Sequence, residues 1–329
     1  MKKIAFFNLG GTISGKGENR NDLKNYQSGL IDGKEFLNHL PELNKLANIE
    51  VIPIDNVSST QIDQNHWTQL KNQIEYYLNE SNYQGIVITH GTSTIEETAY
   101  FLHLTVNSKK PIILVGAQRP FTALSSDAHL NLINAFRVAI DPSSHGKGVL
   151  VVANEEIHSA REVTKTHTYR VNTFQSGEFG LLGFIDPDDT VQYYRQPTRC
   201  HTLNSEFTTL NAGFYPKVDI VYSYAGATGE LINLIVQSGQ YHGIVIAGTG
   251  AGRFSKKEEE ALYQARKNNI HIVRSSRGGN GRVIDIEPYK ELNAISGDNL
   301  TPQKARILLT LSLAKDNNIN ELRRIFNMY

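Results

Sequence analysis

Short apolar runs alternate along the chain with longer stretches in which apolar positions recur every three or four residues. Lys2–Phe7, Gly85–Ile88, Pro111–Val115, Lys147–Ala153, Lys217–Tyr222 and Gly243–Gly248 are short, largely apolar and followed by polar or glycine-containing turns, which predicts buried strands. Trp67, Leu70, Ile74, Tyr77 and Leu78 fall on one helical face ahead of the Gly85 run. Strands alternating with amphipathic helices predict a parallel α/β fold. With 329 residues the chain exceeds one typical core, so two domains are expected. The stretch 193–213 is polar and carries Pro197, and it reads as a linker between a larger N-terminal parallel-sheet domain over 1–192 and a smaller C-terminal α/β domain over 214–329. No internal repeat or low-complexity tract interrupts this pattern.

Composition narrows the function classes. Lys plus Arg and Asp plus Glu number 33 each, so no global field favours nucleic acid or an anionic membrane. No apolar stretch approaches the roughly 20 residues that span a bilayer. Lys2 and Lys3 precede only four apolar residues before a polar turn, which is no signal peptide. A cytoplasmic protein is expected, or a periplasmic one if a leader has been removed. Cys200 is the single cysteine, so neither an intrachain disulfide nor a CxxC motif is available. Eleven histidines include no HExxH pair, and no metal or other cofactor is expected. The glycines at 248, 250 and 252 follow a strand but lack the third spaced glycine and the distal acidic residue of a dinucleotide fingerprint.

Candidate chemistry lies where strands end. In the run Ile88–Leu102, Thr92 and Ser93 leave a buried strand, and Glu96 and Glu97 fall in the first turn of the next helix. Such a turn suits an anion or oxyanion site, and equally an N-cap in which Thr92, Ser93 or Thr94 holds the first free amides. A second turn, Asn8-Leu9-Gly10-Gly11-Thr12-Ile13, leaves the first strand, its paired glycines letting backbone approach a ligand closely. A third segment, Asn154–Lys165, carries Val163-Thr164-Lys165.

These three segments, in this order, resemble the GGTI turn, HGTDT turn and VTK lysine of the L-asparaginase/glutaminase amidohydrolases. The likeness extends to Asn56–Ser59, Gly116–Pro120, Arg274–Arg277 and Thr301–Arg306, and so spans essentially the whole chain. The resemblance implies a two-domain fold and hydrolysis of a carboxamide in a small-molecule or acyl or peptidyl amide. It implies Thr12 as nucleophile, with Tyr26 on the Gly15–Gly29 loop as its activating partner, and Thr92 and Lys165 as a second hydroxyl and its base. That loop, rich in glycine and asparagine, suits a mobile lid. Gly11, Ser59, Thr60, Gly91, Ser93 and the backbone at Ala117 would contact substrate. A homotetramer of intimate dimers is also implied, with each site between one subunit's N-terminal domain and its partner's C-terminal domain.

Three positions depart from the family pattern. Ser93 stands where the family has an aspartate that anchors the substrate's α-ammonium and neighbours the lysine. Thr60 stands where a glutamine is often found, and Ala251 where an asparagine reaches the neighbouring subunit's site. Asp285 and Glu287 lie in the region of a further inter-subunit acid. An ammonium left without its carboxylate loses roughly 2–5 kcal/mol of binding. The expected substrate is therefore a carboxamide lacking a free α-amine: an N-acylated or peptide-linked asparagine, or a succinamate-like acid. Without that aspartate, the pKa of Lys165 is expected to fall. Ordinary asparaginase or glutaminase activity on the free amino acid is the alternative, and a degenerate ligand-binding sensor is a third reading.

Overall fold

The computed structural model describes residues 1–54, 56–79, 82–210 and 215–329. It divides into two compact units, Met1–Thr208 and Thr209–Tyr329.

The first unit is built on an eight-stranded sheet, in the order Val191–Tyr193, Gly183–Ile185, Glu156–Ser159, Val149–Ala153, Ile112–Val115, Tyr83–Thr89, Lys3–Asn8 and Asn48–Ile52. The five strands from Asn48–Ile52 to Val149–Ala153 are parallel, and the three on the far side are antiparallel. The sheet is thus mixed rather than wholly parallel. Glu156–Ser159 follows Val149–Ala153 through a tight turn at Asn154 and Glu155, both at positive φ, which leaves no room for a crossover helix. The apolar runs read from the sequence supply the central strands, and nearly every residue along them is buried because helices cover both faces. Phe6, Val87, Ile113, Val115, Leu132, Phe136 and Val152 meet in one core cluster. The helix Gln64–Asn79 buries Trp67, Leu70, Ile74 and Leu78, and Trp67 stacks on Phe101 of the helix Ile95–Thr105 at 5.1 Å between ring centroids.

The strand order reverses beside the first strand. From Lys3–Asn8 the chain moves to Asn48–Ile52 on one side, then returns to Tyr83–Thr89 on the other and continues outward. The connections leaving Lys3–Asn8 and Tyr83–Thr89 therefore run apart and open a crevice at the carboxyl ends of those strands. Open α/β sheets bind their ligands at such a switch point.

The stretch read as a linker is structured over much of its length. Val191–Tyr193 is the edge strand, and His201, Thr202, Ser205 and Phe207 are buried, with Ser205 Oγ donating to the Leu104 carbonyl. The His201 and Thr202 side chains hydrogen-bond to each other and Ser205 to backbone, so these polar groups are buried with partners; residues 211–213 of the stretch lie outside the described residues.

The second unit has four parallel strands, Val218–Tyr222, Gly243–Gly248, His271–Ser276 and Ile295–Ser296, in that order. Helices Glu230–Ser238 and Lys256–Lys267 contribute Ile232, Ile235, Leu262 and Ala265 to its core with Ile244, Ile246 and Ile272. Its glycine turn at 248–252 presents the carbonyls of Ala251 and Gly252 to the buried Arg274 guanidinium. Carbonyls turned to a cation are the opposite of a phosphate cradle.

Candidate active site

The turns after Lys3–Asn8 and Tyr83–Thr89 leave the sheet side by side, because Asn8 is in register with Thr89. Gly11 has φ +85°, and a Cβ there would lie 2.3 Å from Gly91 Cα; a Cβ on Gly91 would lie 2.5 Å from Ser59 Oγ. Only glycines let the two backbones pack this closely against Ser59.

Asn8 fixes the first turn. Its buried carboxamide oxygen accepts from Gly10 N at 3.3 Å, Ser14 Oγ at 3.0 Å and Thr89 Oγ1 at 2.6 Å, while its nitrogen donates to the Ile31 carbonyl. The turn so held carries Thr12, whose Oγ1 is hydrogen-bonded to Tyr26 OH at 2.7 Å. Tyr26 lies not on an open loop but in a small hairpin, with Tyr26–Gln27 paired antiparallel to Lys16–Gly17. Gly17 N donates to Thr122 Oγ1 and Leu124 N to the Arg20 carbonyl, which tie the hairpin to the segment 120–124.

In the second turn the hydroxyls do not cap the helix. Thr94 is the N-cap of Ile95–Thr105 without a side-chain cap hydrogen bond; its Oγ1 donates instead to the Ser59 carbonyl at 2.7 Å. Thr92 Oγ1 accepts from Lys165 Nζ at 2.8 Å. Lys165 reaches it from a short hairpin, Thr164–Lys165 against Phe174–Gln175. Burial lowers the Lys165 pKa below the ordinary lysine value, and the Glu96 carboxylate opposes that fall. Gln118, with its amide turned to satisfy both neighbours, accepts from Lys165 Nζ at 3.3 Å and donates to the Thr168 carbonyl at 3.1 Å. Gly116 packs against the Thr92 methyl, placing the 116–118 turn and buried Ala117 beside this pair.

The remaining expected positions divide. Ser59 is buried between the turns, whereas Thr60 is exposed with its hydroxyl bonded to Ser58 Oγ at 2.9 Å. Ser93 is exposed. Ala251, Asp285 and Glu287 belong to the second unit and are exposed there; Asp285 accepts from Ser296 Oγ.

Sequence reasoning passed over His90. Its Nδ1–H donates to the Gly91 carbonyl and its Nε2 accepts from Thr98 Oγ1, which in turn accepts from Trp67 Nε1. Complete burial pushes the His90 pKa down to about 4, so the ring is neutral in this one tautomer and sets the peptide that precedes Thr92. His90 stands inside the matched HGTDT turn, but its partners Trp67 and Thr98 are brought to it only by the fold. Asn8 and Gln118 also stood inside matched segments, where a polar residue at a strand end was the available signal. Among the described residues no group of His, Cys, Asp and Glu could hold a metal ion.

Two family models cover the chain: "Asparaginase, N-terminal" matches residues 3–199 and "Glutaminase/Asparaginase C-terminal domain" matches 217–326. The chain is 40% identical over its whole length to "L-asparaginase 2" of Bacillus subtilis, covering 87% of that protein, and 39% identical to "L-asparaginase 2" of Escherichia coli, covering 94%. It is 36% identical to a "Glutaminase-asparaginase" of Pseudomonas fluorescens, covering 91%. The crystal structure of a "Probable Cytoplasmic L-asparaginase" from Campylobacter jejuni superposes with a TM-score of 0.95 at 38% identity, each chain wholly covered. Paired hydroxyl turns at a switch point, two matched domains and full-length likeness agree: the chain belongs to the asparaginase family and is an amidohydrolase of linear carboxamides.

Proposed function

We propose that this chain releases ammonia from the side-chain amide of free L-asparagine, with Thr12 as nucleophile. The observation that carries the reading is the pairing of Thr12 with Tyr26 and of Thr92 with Lys165 on two turns in backbone contact. Thr12 Oγ1 attacks the amide carbonyl while its proton is relayed through the Tyr26 hydroxyl, which takes it as its own proton moves on toward the leaving nitrogen. The tetrahedral oxyanion is held by backbone N–H groups beside the crevice, and the 116–118 turn lies by the leaving nitrogen. The C–N bond breaks, the nitrogen leaves as ammonia with the transferred proton, and an acyl ester on Thr12 remains. Water, its proton accepted at the Thr92–Lys165 pair, attacks that ester; the C–O bond to Thr12 breaks, the Thr12 oxygen takes the proton back from the pair, and the acid product leaves as its carboxylate. Gly11, Gly91 and Ser59 shape the substrate's carboxylate end. For this second step Lys165 must be neutral, so that the 2.8 Å contact reverses and Thr92 Oγ1 donates.

Several relatives of the whole chain carry the name L-asparaginase, which favours free asparagine over the amine-blocked substrates expected from Ser93, Thr60 and Ala251. The second reading retains one observation in its favour: an exposed serine, Ser93, stands where the family pattern has the aspartate that meets the ammonium. Ammonia release from L-asparagine, L-glutamine, succinamate and N-acetyl-asparagine separates the two. Preference for L-asparagine supports the main reading; a kcat/KM at least about tenfold higher for N-acetyl-asparagine, equal to ~1.4 kcal/mol, establishes the other. We further propose a homotetramer. The relatives' names place the Campylobacter protein in the cytoplasm and one from Haemophilus influenzae in the periplasm; we favour the cytoplasm for this chain.

A further inference from the structure

Two side chains meet Lys165 Nζ: Thr92 Oγ1 at 2.8 Å and the Gln118 carboxamide oxygen at 3.3 Å. Chemistry fixes which way that carboxamide points. Its nitrogen donates to the Thr168 carbonyl at 3.1 Å, and the reverse placement would set amide nitrogen against amine and amide oxygen against carbonyl. The oxygen turned to Lys165 can only accept, whereas the Thr92 hydroxyl can donate or accept. Backbone holds Gln118 in place independently of its side chain. Gln118 N and Arg119 N each donate to Asp127 at 2.9 Å, and buried Asn131 donates to the Gly116 carbonyl at 3.0 Å and accepts from Asn154 N at 2.8 Å.

We propose that Gln118 is the positioning residue of Lys165: its oxygen takes an N–H of the neutral amine and so leaves the lone pair for the Thr92 hydroxyl. The inference rests on the reading of Lys165 as the base for that hydroxyl. A neutral amine carries two N–H bonds and one lone pair, and it turns freely about Cε–Nζ. With an obligate acceptor on one side, the orientation that satisfies both neighbours points an N–H at Gln118 and the lone pair at Thr92 Oγ1, which then donates. A neutral acceptor achieves this without the pull toward ammonium that a carboxylate in the same place would exert. Once Lys165 has taken the proton, the ammonium keeps the same contact until the proton returns to the departing Thr12 oxygen.

Among the described residues no charged group is hydrogen-bonded to Lys165 Nζ, and Thr92 and Gln118 are its only side-chain partners. The Glu96 carboxylate opposes the fall of its pKa from the helix Ile95–Thr105 without such a bond. Asp127 is engaged by the backbone of the Gln118 turn. Upstream of the hairpin, Arg161 and Glu162 pair with each other at 3.3 Å, and His167 and Arg170 beyond the strand are exposed.

A lysine that cannot present its lone pair slows hydrolysis of the acyl ester on Thr12 but not the ester's formation, which belongs to Thr12 and Tyr26. The test is steady-state and pre-steady-state ammonia release from L-asparagine by the intact protein, for wild type, Gln118→Met, Gln118→Glu and Lys165→Met. In Gln118→Met, kcat should fall at least about tenfold while kcat/KM, which reports the steps through ester formation, stays within about threefold of wild type. The first turnover should then appear as a burst of about one ammonia per site. Gln118→Glu keeps an accepting oxygen at the same reach and adds a charge, so it should recover the kcat plateau but move the acid limb to higher pH by about one unit. Wild-type kcat in Gln118→Met, or kcat and kcat/KM falling together without a burst, overturns the inference. If Gln118→Met does not fold, Gln118→Glu decides, and an unmoved limb overturns it. Lys165→Met tests the underlying reading separately: wild-type kcat in it removes the base itself, whereas kcat lost in it beside an unaffected Gln118→Met removes only the role of Gln118.

Discussion

Lys165 and His90 show how burial can serve chemistry at one residue and stability at the next. For Lys165, desolvation favours the neutral amine and Glu96 restrains the shift, so the balance is tuned by one carboxylate. The loss of a family aspartate at Ser93 led us to expect a lysine with no carboxylate nearby. Glu96, in the first turn of the helix that follows the Thr92 turn, is a carboxylate that opposes the fall in the Lys165 pKa. For His90 the consequence is pH-dependent folding. Its pKa is about 4 in the fold against 6.5 ordinarily, so the unfolded chain binds the extra proton between these values and stability falls as pH drops. A gap of this size corresponds to roughly 3 kcal/mol lost between pH 6.5 and 4. Denaturant unfolding at fixed protein concentration should show that loss in wild type and a smaller one in His90→Asn; equal losses would contradict the assignment.

Among the elements, those whose signal was local were legible and those made by pairing were not. The central strands were visible as apolar runs because both of their faces are covered. Asn48–Ile52 is only half buried along most of its length and gives a weak signal, and Gly183–Ile185 and Val191–Tyr193 have just three residues each. The hairpin around Tyr26 was read as a mobile lid because glycine and asparagine dominate it. Asp22, however, folds the tip by accepting from Lys24 N and Asn25 N. At the heart of the crevice, the Asn8 carboxamide joins the strand end, the Thr12 turn and Thr89. Asn8→Ala would leave Gly10 N, Ser14 Oγ and Thr89 Oγ1 without their acceptor. We expect it to cost about 2–4 kcal/mol in stability, and kcat to fall well beyond what the loss of folded protein explains. A variant with wild-type kcat would show that the turn holds its shape without this knot.

At the scale of the whole molecule, the order of strands makes the site. The reversal of direction beside Lys3–Asn8 parts two connections, and both hydroxyl turns emerge into the gap. Neither turn alone was decisive in the sequence, where each could have been a strand exit or a helix cap. Their order along the chain carried the family resemblance, but the contact of Gly11 with Gly91 and the neutral His90 that sets the second turn required the fold. The first antiparallel strand beyond Val149–Ala153, Glu156–Ser159, carries the chain to the Lys165 hairpin. On the proposed mechanism two hydroxyls, on two turns, are necessary for one reaction. Its most direct test is steady-state ammonia release from L-asparagine by wild type, Thr12→Ala and Thr92→Ala measured together. Both variants should lose kcat by about 10³-fold or more, as paired nucleophile–base systems do. Either variant within tenfold of wild type would contradict the two-hydroxyl mechanism.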